Sequence, residues 1–157
     1  MSGQRDGAKQ LILTIELVPQ PCFYNNLRNR MPRPAWDKLR KQVYAQYHYR
    51  CGICQEENVT LNCHEIWHYD DTAHVQKLSG FIALCNMCHH CKHIGYAGIL
   101  AAEGKLDMNE VIAHFVHVNS CSYQEYKEHE GQAWKTWAER NKYVWTTDLG
   151  VYAHVVR

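Results

Sequence analysis

Two short motifs, Cys51-Gly-Ile-Cys54 and Cys85-Asn-Met-Cys88, constrain this chain more than anything else in it. A CxxC turn holds two thiolates on one side of a tight backbone loop. Two such turns complete a tetrahedral S4 cage at Zn–S distances of about 2.3 Å. Here 30 residues separate them. Buried free cysteines are common in cores, but that explanation has to cover both pairs at once. The chain has 157 residues, of which 46% are hydrophobic and 21% charged, so it can bury a core without disulfides. Of its eight cysteines, Cys22, Cys63, Cys91 and Cys121 are left over and read as core residues or free thiols.

The segment between and after the cysteine pairs is rich in histidine. Leu61-Asn62-Cys63-His64-Glu65-Ile66-Trp67 is followed by Gly80-Phe81-Ile82-Ala83-Leu84, which leads into Cys85. Beyond Cys88, His89 and His93 stand at i and i+4. On a helix they share a face one turn apart. Two imidazoles so placed can hold one divalent ion, with a third ligand from the hairpin opposite.

These residues resemble the zinc-stapled HNH, or ββα-metal, endonucleases. The likeness covers residues 51–94: the two CxxC pairs, the Leu-x-x-His64-Glu65-Ile66 strand, and Leu84-Cys-x-x-Cys88-His89-x-x-x-His93. It implies a ββα module with structural zinc on Cys51, Cys54, Cys85 and Cys88. It also implies a catalytic Mg²⁺ or other divalent ion on His64, His89 and His93, and phosphodiester hydrolysis with His64, Glu65 and His89 at the reacting centre. Two positions depart from the family pattern. Glu65 stands where the family has its general-base histidine, and Gly80 where it has a central asparagine. A carboxylate can serve as base or bind magnesium. A one-residue slip would instead make Cys63 the ligand and His64 the base, and His68 could substitute as base. The roles of His64, Glu65 and His68 stay open at this point. A catalytically degenerate zinc module, binding nucleic acid or protein without turnover, is the alternative. Cys63-His64-Glu65 with Cys85-x-x-Cys88 also imitates a zinc-deaminase signature, but it leaves Cys51, Cys54, His89 and His93 without roles.

The net charge of +1 gives no hint of a polyanionic partner, but the charge is uneven. Residues 22–50 hold seven cations against Asp37 alone, a net of +6, whereas residues 51–94 come to −3. A nuclease must bring a polyanion to an acidic, metal-bearing site, and flanking cations supply that affinity. Arg28, Arg30, Arg33 and Lys41 are the phosphate candidates, with DNA the expected polymer.

Around the module, residues 11–18 are apolar and end at Pro19 and Pro21, which predicts a strand. Residues 22–34 read as loop. Residues 35–48 carry Trp36, Leu39, Val43, Tyr44 and Tyr47 on one helical face. Asp107 with Glu110 and Ser122 with Glu125 are capping-box signals for two later helices, to about residues 118 and 142. Residues 143–147 and 151–156 suggest two short strands. The expectation is one α+β domain over 1–157. It comprises a zinc-stapled ββα-metal (treble-clef-like) module at 51–94, a basic strand and helix at 11–50, and a helical region at 95–157. The late helices are acidic and could offer Trp134 and Trp137 to a protein partner or a second copy. The first ten residues are polar, and the run 11–18 contains Glu16, so neither a secretory signal nor a membrane span is expected. A reducing, cytoplasmic setting follows.

Overall fold

The computed structural model describes residues 10–23, 26–154 and 156. It is a mixed α+β structure with a small three-stranded sheet. A short helix α1 (Leu27–Arg30) and α2 (Arg33–Gln46) precede a long hairpin, β1 (Leu61–Asp70) and β2 (Val75–Cys85). Four helices follow: α3 (Asn86–Lys92), α4 (Ile94–Ala102), α5 (Met108–Asn119) and α6 (Tyr123–Arg140). Strand β3 (Thr146–Asp148) then pairs parallel to the start of β2, which leaves β1 at the sheet edge. No helix among the described residues is long and apolar enough to cross a membrane.

The hairpin is antiparallel from Leu61 opposite Cys85 to Asp70 opposite Val75. Its turn is held by the Asp70 carboxylate, which accepts from the Thr72 and Ala73 N–H groups at 2.9 Å. Ile66 pairs with Gly80 but Trp67 with Leu78, so Ser79 is an extra residue at a β-bulge. Gly80 thus lies at the point where the hairpin's register shifts.

The hairpin divides two buried clusters. Leu84, Cys51, Cys85, Cys88, Cys91, Ile94, Val111, Phe115 and Tyr126 build one, together with Leu13 and Ile15. Leu27, Met31, Trp36, Leu78 and Leu149 build the other. The expected helix at 35–48 is present as α2, with Trp36 and Val43 buried. The Ser122–Glu125 capping box forms as read. Asp107 caps α5 singly, accepting from the Asn109 N–H.

Three expectations from the sequence need correction. Residues 11–18 are not a strand. Their backbone groups pair with Asn119, His129, Trp137 and the Lys92 carbonyl rather than with a strand. Residues 27–30 are helical rather than loop, because the Asn26 side chain caps the turn by accepting from the Arg28 N–H. At the tail, 146–148 forms a strand, but Gly150–Tyr152 is a 3₁₀ turn.

Asn119 holds the N-terminal segment in place. Its buried amide accepts from the Ile12 and Leu13 N–H groups and donates to the Leu13 carbonyl, each at 2.9 Å. Truncation leaves these groups unpaired, at about 1–3 kcal/mol per buried group. Asn119→Ala is expected to lower stability by about 2–3 kcal/mol, read as a lower urea midpoint at unchanged slope. An unchanged midpoint would show that the segment docks by apolar burial alone.

Candidate metal centre

The first cysteine turn is tied to the hairpin by the Gly52 N–H, which donates to the Ala83 carbonyl at 2.7 Å. A Cβ at residue 52 would lie 2.7 Å from the Tyr47 ring and 2.8 Å from the Ile82 side chain, so only glycine lets the turn dock this closely. The second turn is the start of α3. Cys85 is its N-cap, and its sulfur accepts from the Cys88 N–H at 3.4 Å. The four sulfurs of Cys51, Cys54, Cys85 and Cys88 lie within 4.8 Å of one another. Sulfurs so close cannot all ionise by themselves. Thiol donation from Cys85 and Cys88 drives Cys51 far below the usual thiol range, and the same bonds push Cys85 up to about 12 and Cys88 higher still. A divalent cation resolves this conflict, and an S4 set of this compactness fits zinc. The His114 imidazole reaches the Cys88 sulfur at 3.1 Å.

One residue beyond Cys88 a second cluster begins: ring atoms of His64, His89 and His93 also lie within 4.8 Å of one another. Ring centroids are 5.5 Å apart for His64–His89, 4.9 Å for His64–His93 and 4.7 Å for His89–His93. His93 terminates α3, so it keeps the i+4 relation to His89 while the chain turns into α4. Burial pushes His89 down to about 4 and His93 to about 3, and the neighbouring imidazoles add to the effect. Both rings are therefore neutral at physiological pH, with lone pairs available. Three converging imidazoles suit a borderline divalent ion.

Glu16, which no local motif marks, completes this cluster. Its Oε2 lies 2.8 Å from His64 Nε2, and its Oε1 accepts from the buried Lys92 ammonium at 2.8 Å. Lys92 also donates to Thr14 Oγ1 at 3.0 Å. Burial raises the Glu16 carboxyl, but His64 and Lys92 outweigh it and hold the group at about 2. A carboxylate only accepts, so His64 Nε2 is the donor and a neutral His64 carries its lone pair on Nδ1. Orienting carboxylates of this kind accompany metal-bound histidines.

The other candidates are distributed around a groove of about 1650 Å³ along the exposed edge of β1. That exceeds the range typical of small-molecule pockets. His64, Glu65, His68, His89 and His93 all line it. Glu65 alternates to the opposite face of β1 from His64. Its carboxylate accepts from the Leu27 N–H at 3.0 Å. Burial pushes it up to about 7, against the Leu27 and Trp67 donors that lower it. Cys63 shares the Glu65 face and packs beside Leu39, Trp67 and Phe81, away from the imidazoles. Of the expected phosphate ligands, Arg28 and Arg33 line the groove, but Arg30 and Lys41 do not. Arg40 lines it instead. On α2, Arg33, Asp37, Arg40 and Tyr44 follow at helical spacing on one face, and Lys41 falls off it. Trp134 and Trp137 also line the groove, and the Trp137 indole N–H donates to the Val18 carbonyl at 3.1 Å.

No family model, curated protein or solved structure matches this chain. The arrangement must therefore be read from its own chemistry. A deaminase ligand set would join residue 63 or 64 to Cys85 and Cys88. Those cysteines group with Cys51 and Cys54 instead, and His64 groups with His89 and His93.

Proposed function

We propose that this chain is a metal-dependent endonuclease of the HNH type, hydrolysing phosphodiester bonds in nucleic acid. The observation that carries this reading is the pair of separate ligand clusters built on α3, one of four thiols and one of three imidazoles. The thiol set suits structural zinc. The imidazole set suits a borderline transition ion better than Mg²⁺, which prefers oxygen ligands. A bound divalent ion supplies Lewis-acid stabilisation of phosphate charge.

The chain's own residues do the rest. Arg28 and Arg33 attract the polyanion to the groove. His64, His89 and His93 fix where the scissile phosphate sits. Glu65 also lines the groove, but it faces away from the imidazoles across β1 and is tied to the Leu27 N–H, so the proton of the attacking water passes to solvent. The water oxygen bonds to phosphorus, the P–O bond to the leaving sugar oxygen breaks, and that oxygen takes a proton from solvent.

Purified protein is expected to cleave plasmid or single-stranded nucleic acid when divalent ions are supplied singly, and to lose the activity on chelation. If no ion supports cleavage of either polymer, the non-catalytic zinc module is the correct reading.

Glu16 gives a test that does not depend on turnover. Glu16→Gln keeps the shape but no longer fixes the His64 tautomer. It is expected to weaken binding of the second ion about 10- to 100-fold by calorimetry, while the tightly bound zinc stays. Equal affinity in the two proteins would mean that the Glu16–His64 pair is purely structural.

A further inference from the structure

The two walls of the groove differ in chemistry. One is cationic: Arg28 on α1, and Arg33 and Arg40 on α2. Arg33 and Arg40 share a single acid, Asp37, at 3.6 and 2.9 Å. The Arg33 side chain is 84% exposed, and an exposed ion pair of this kind contributes little. It can be traded for a phosphate. The other, from α4 and α6, carries exposed apolar and aromatic side chains beside the polar Gln132, Thr136 and Arg140. Tyr96 is 60% exposed, Ile99 55% and Trp134 38%, although each is large and apolar. Trp134 is held edge-on to Trp137, with ring centroids 5.1 Å apart. The imidazole cluster lies in the same groove as both walls.

A double helix presents phosphates on both of its flanks and keeps its base faces stacked away. It has little use for an aromatic wall. A single strand carries phosphates along one side and bases along the other, and each base offers a π-face. We infer that this groove takes single-stranded nucleic acid, with its phosphates along Arg28 and Arg33 and its bases stacked on Tyr96 and Trp134. The inference rests on the nuclease reading for the identity of the polymer, and it narrows the substrate to unpaired strands or locally opened duplex.

The test is binding, without added divalent ion, of a labelled mixed-sequence oligonucleotide, alone and annealed to its complement at the same salt. The single strand is expected to bind at least about tenfold more tightly and to quench tryptophan fluorescence. Tyr96→Ala and Trp134→Ala are each expected to weaken single-strand binding by about 5- to 150-fold, with little effect on duplex binding. Tyr96 is exposed, so its replacement keeps the test decisive if Trp134→Ala fails to fold. Arg28→Ala is expected to weaken binding and to reduce the slope of affinity against salt by about 0.7. Equal or tighter duplex binding, or an unaltered affinity in Tyr96→Ala, overturns the inference. Quenched, selective single-strand binding without hydrolysis by any ion would keep it and remove the nuclease reading. Duplex cleavage without a stacking effect would do the reverse.

Discussion

Cys88→Ser is expected to unfold the protein at room temperature and to abolish the tight zinc binding proposed for the thiol tetrad. The residue is fully buried, its sulfur belongs to the thiol tetrad, and it lies in the first turn of α3, which carries His89 and ends at His93. Structural zinc contributes about 10–16 kcal/mol in small zinc modules at neutral pH. Whole domains are stable by only about 5–15 kcal/mol. Losing even a large fraction of the metal term therefore removes most of the stability. Serine cannot replace the ligand, because its hydroxyl does not ionise at neutral pH and is a poor zinc donor. Elemental analysis and circular dichroism check the outcome together. Cys91→Ser is the control. Cys91 is just as buried, but it stands outside the tetrad and its thiol donates to the Val111 carbonyl at 3.4 Å. A serine hydroxyl can keep such a bond, so zinc content should hold and the cost should stay near about 1 kcal/mol. A folded Cys88→Ser protein with unchanged thermal midpoint and no zinc would sink the structural role given to the tetrad.

What the sequence made legible was local. The CxxC spacing, the i, i+4 histidines and the Ser122–Glu125 box are each decided within a few residues, and each corresponds to a feature of the structure. Long-range pairing was not legible. Residues 11–18 have a strand's composition, but their partners Asn119 and His129 lie more than 100 residues away and act through side chains. Glu16 was hidden for the same reason. Its place beside His64 depends on that segment crossing the end of α3, where the Glu16 N–H donates to the Lys92 carbonyl at 2.9 Å. Helix α4 gave no amphipathic signal because both its flanks carry apolar residues, with Ile94 and Ala97 buried and Tyr96 and Ile99 exposed. The same exposed apolar residues line the groove. Lys41 is a phosphate candidate by sequence, but its immediate neighbour Arg40 lines the groove. One residue is a 100° rotation on a helix, enough to move a side chain out of the groove.

His89→Ala separates catalysis from folding. His89 and Cys88 are adjacent on α3, yet their side chains serve different clusters. Removing the imidazole takes one of three ligands from the second centre and leaves all four sulfurs in place. Metal stabilisation of a phosphoryl transition state is worth several kcal/mol, and about 4 kcal/mol is a factor of 10³ in rate. Cleavage is therefore expected to fall at least about 10³-fold, with zinc content and the circular dichroism spectrum unchanged. The substitution also removes a buried ring that touches His64 and His93. A small loss of stability would follow from that, and it is distinguishable from loss of activity by assaying well below the melting temperature. Calorimetric titration of the second ion should weaken in parallel with the rate, because both depend on the same three nitrogens. Cleavage that persists at the parental rate would mean that hydrolysis, if any, uses another centre. Loss of zinc together with activity would mean that the two clusters are not independent, and that α3 transmits damage from one to the other.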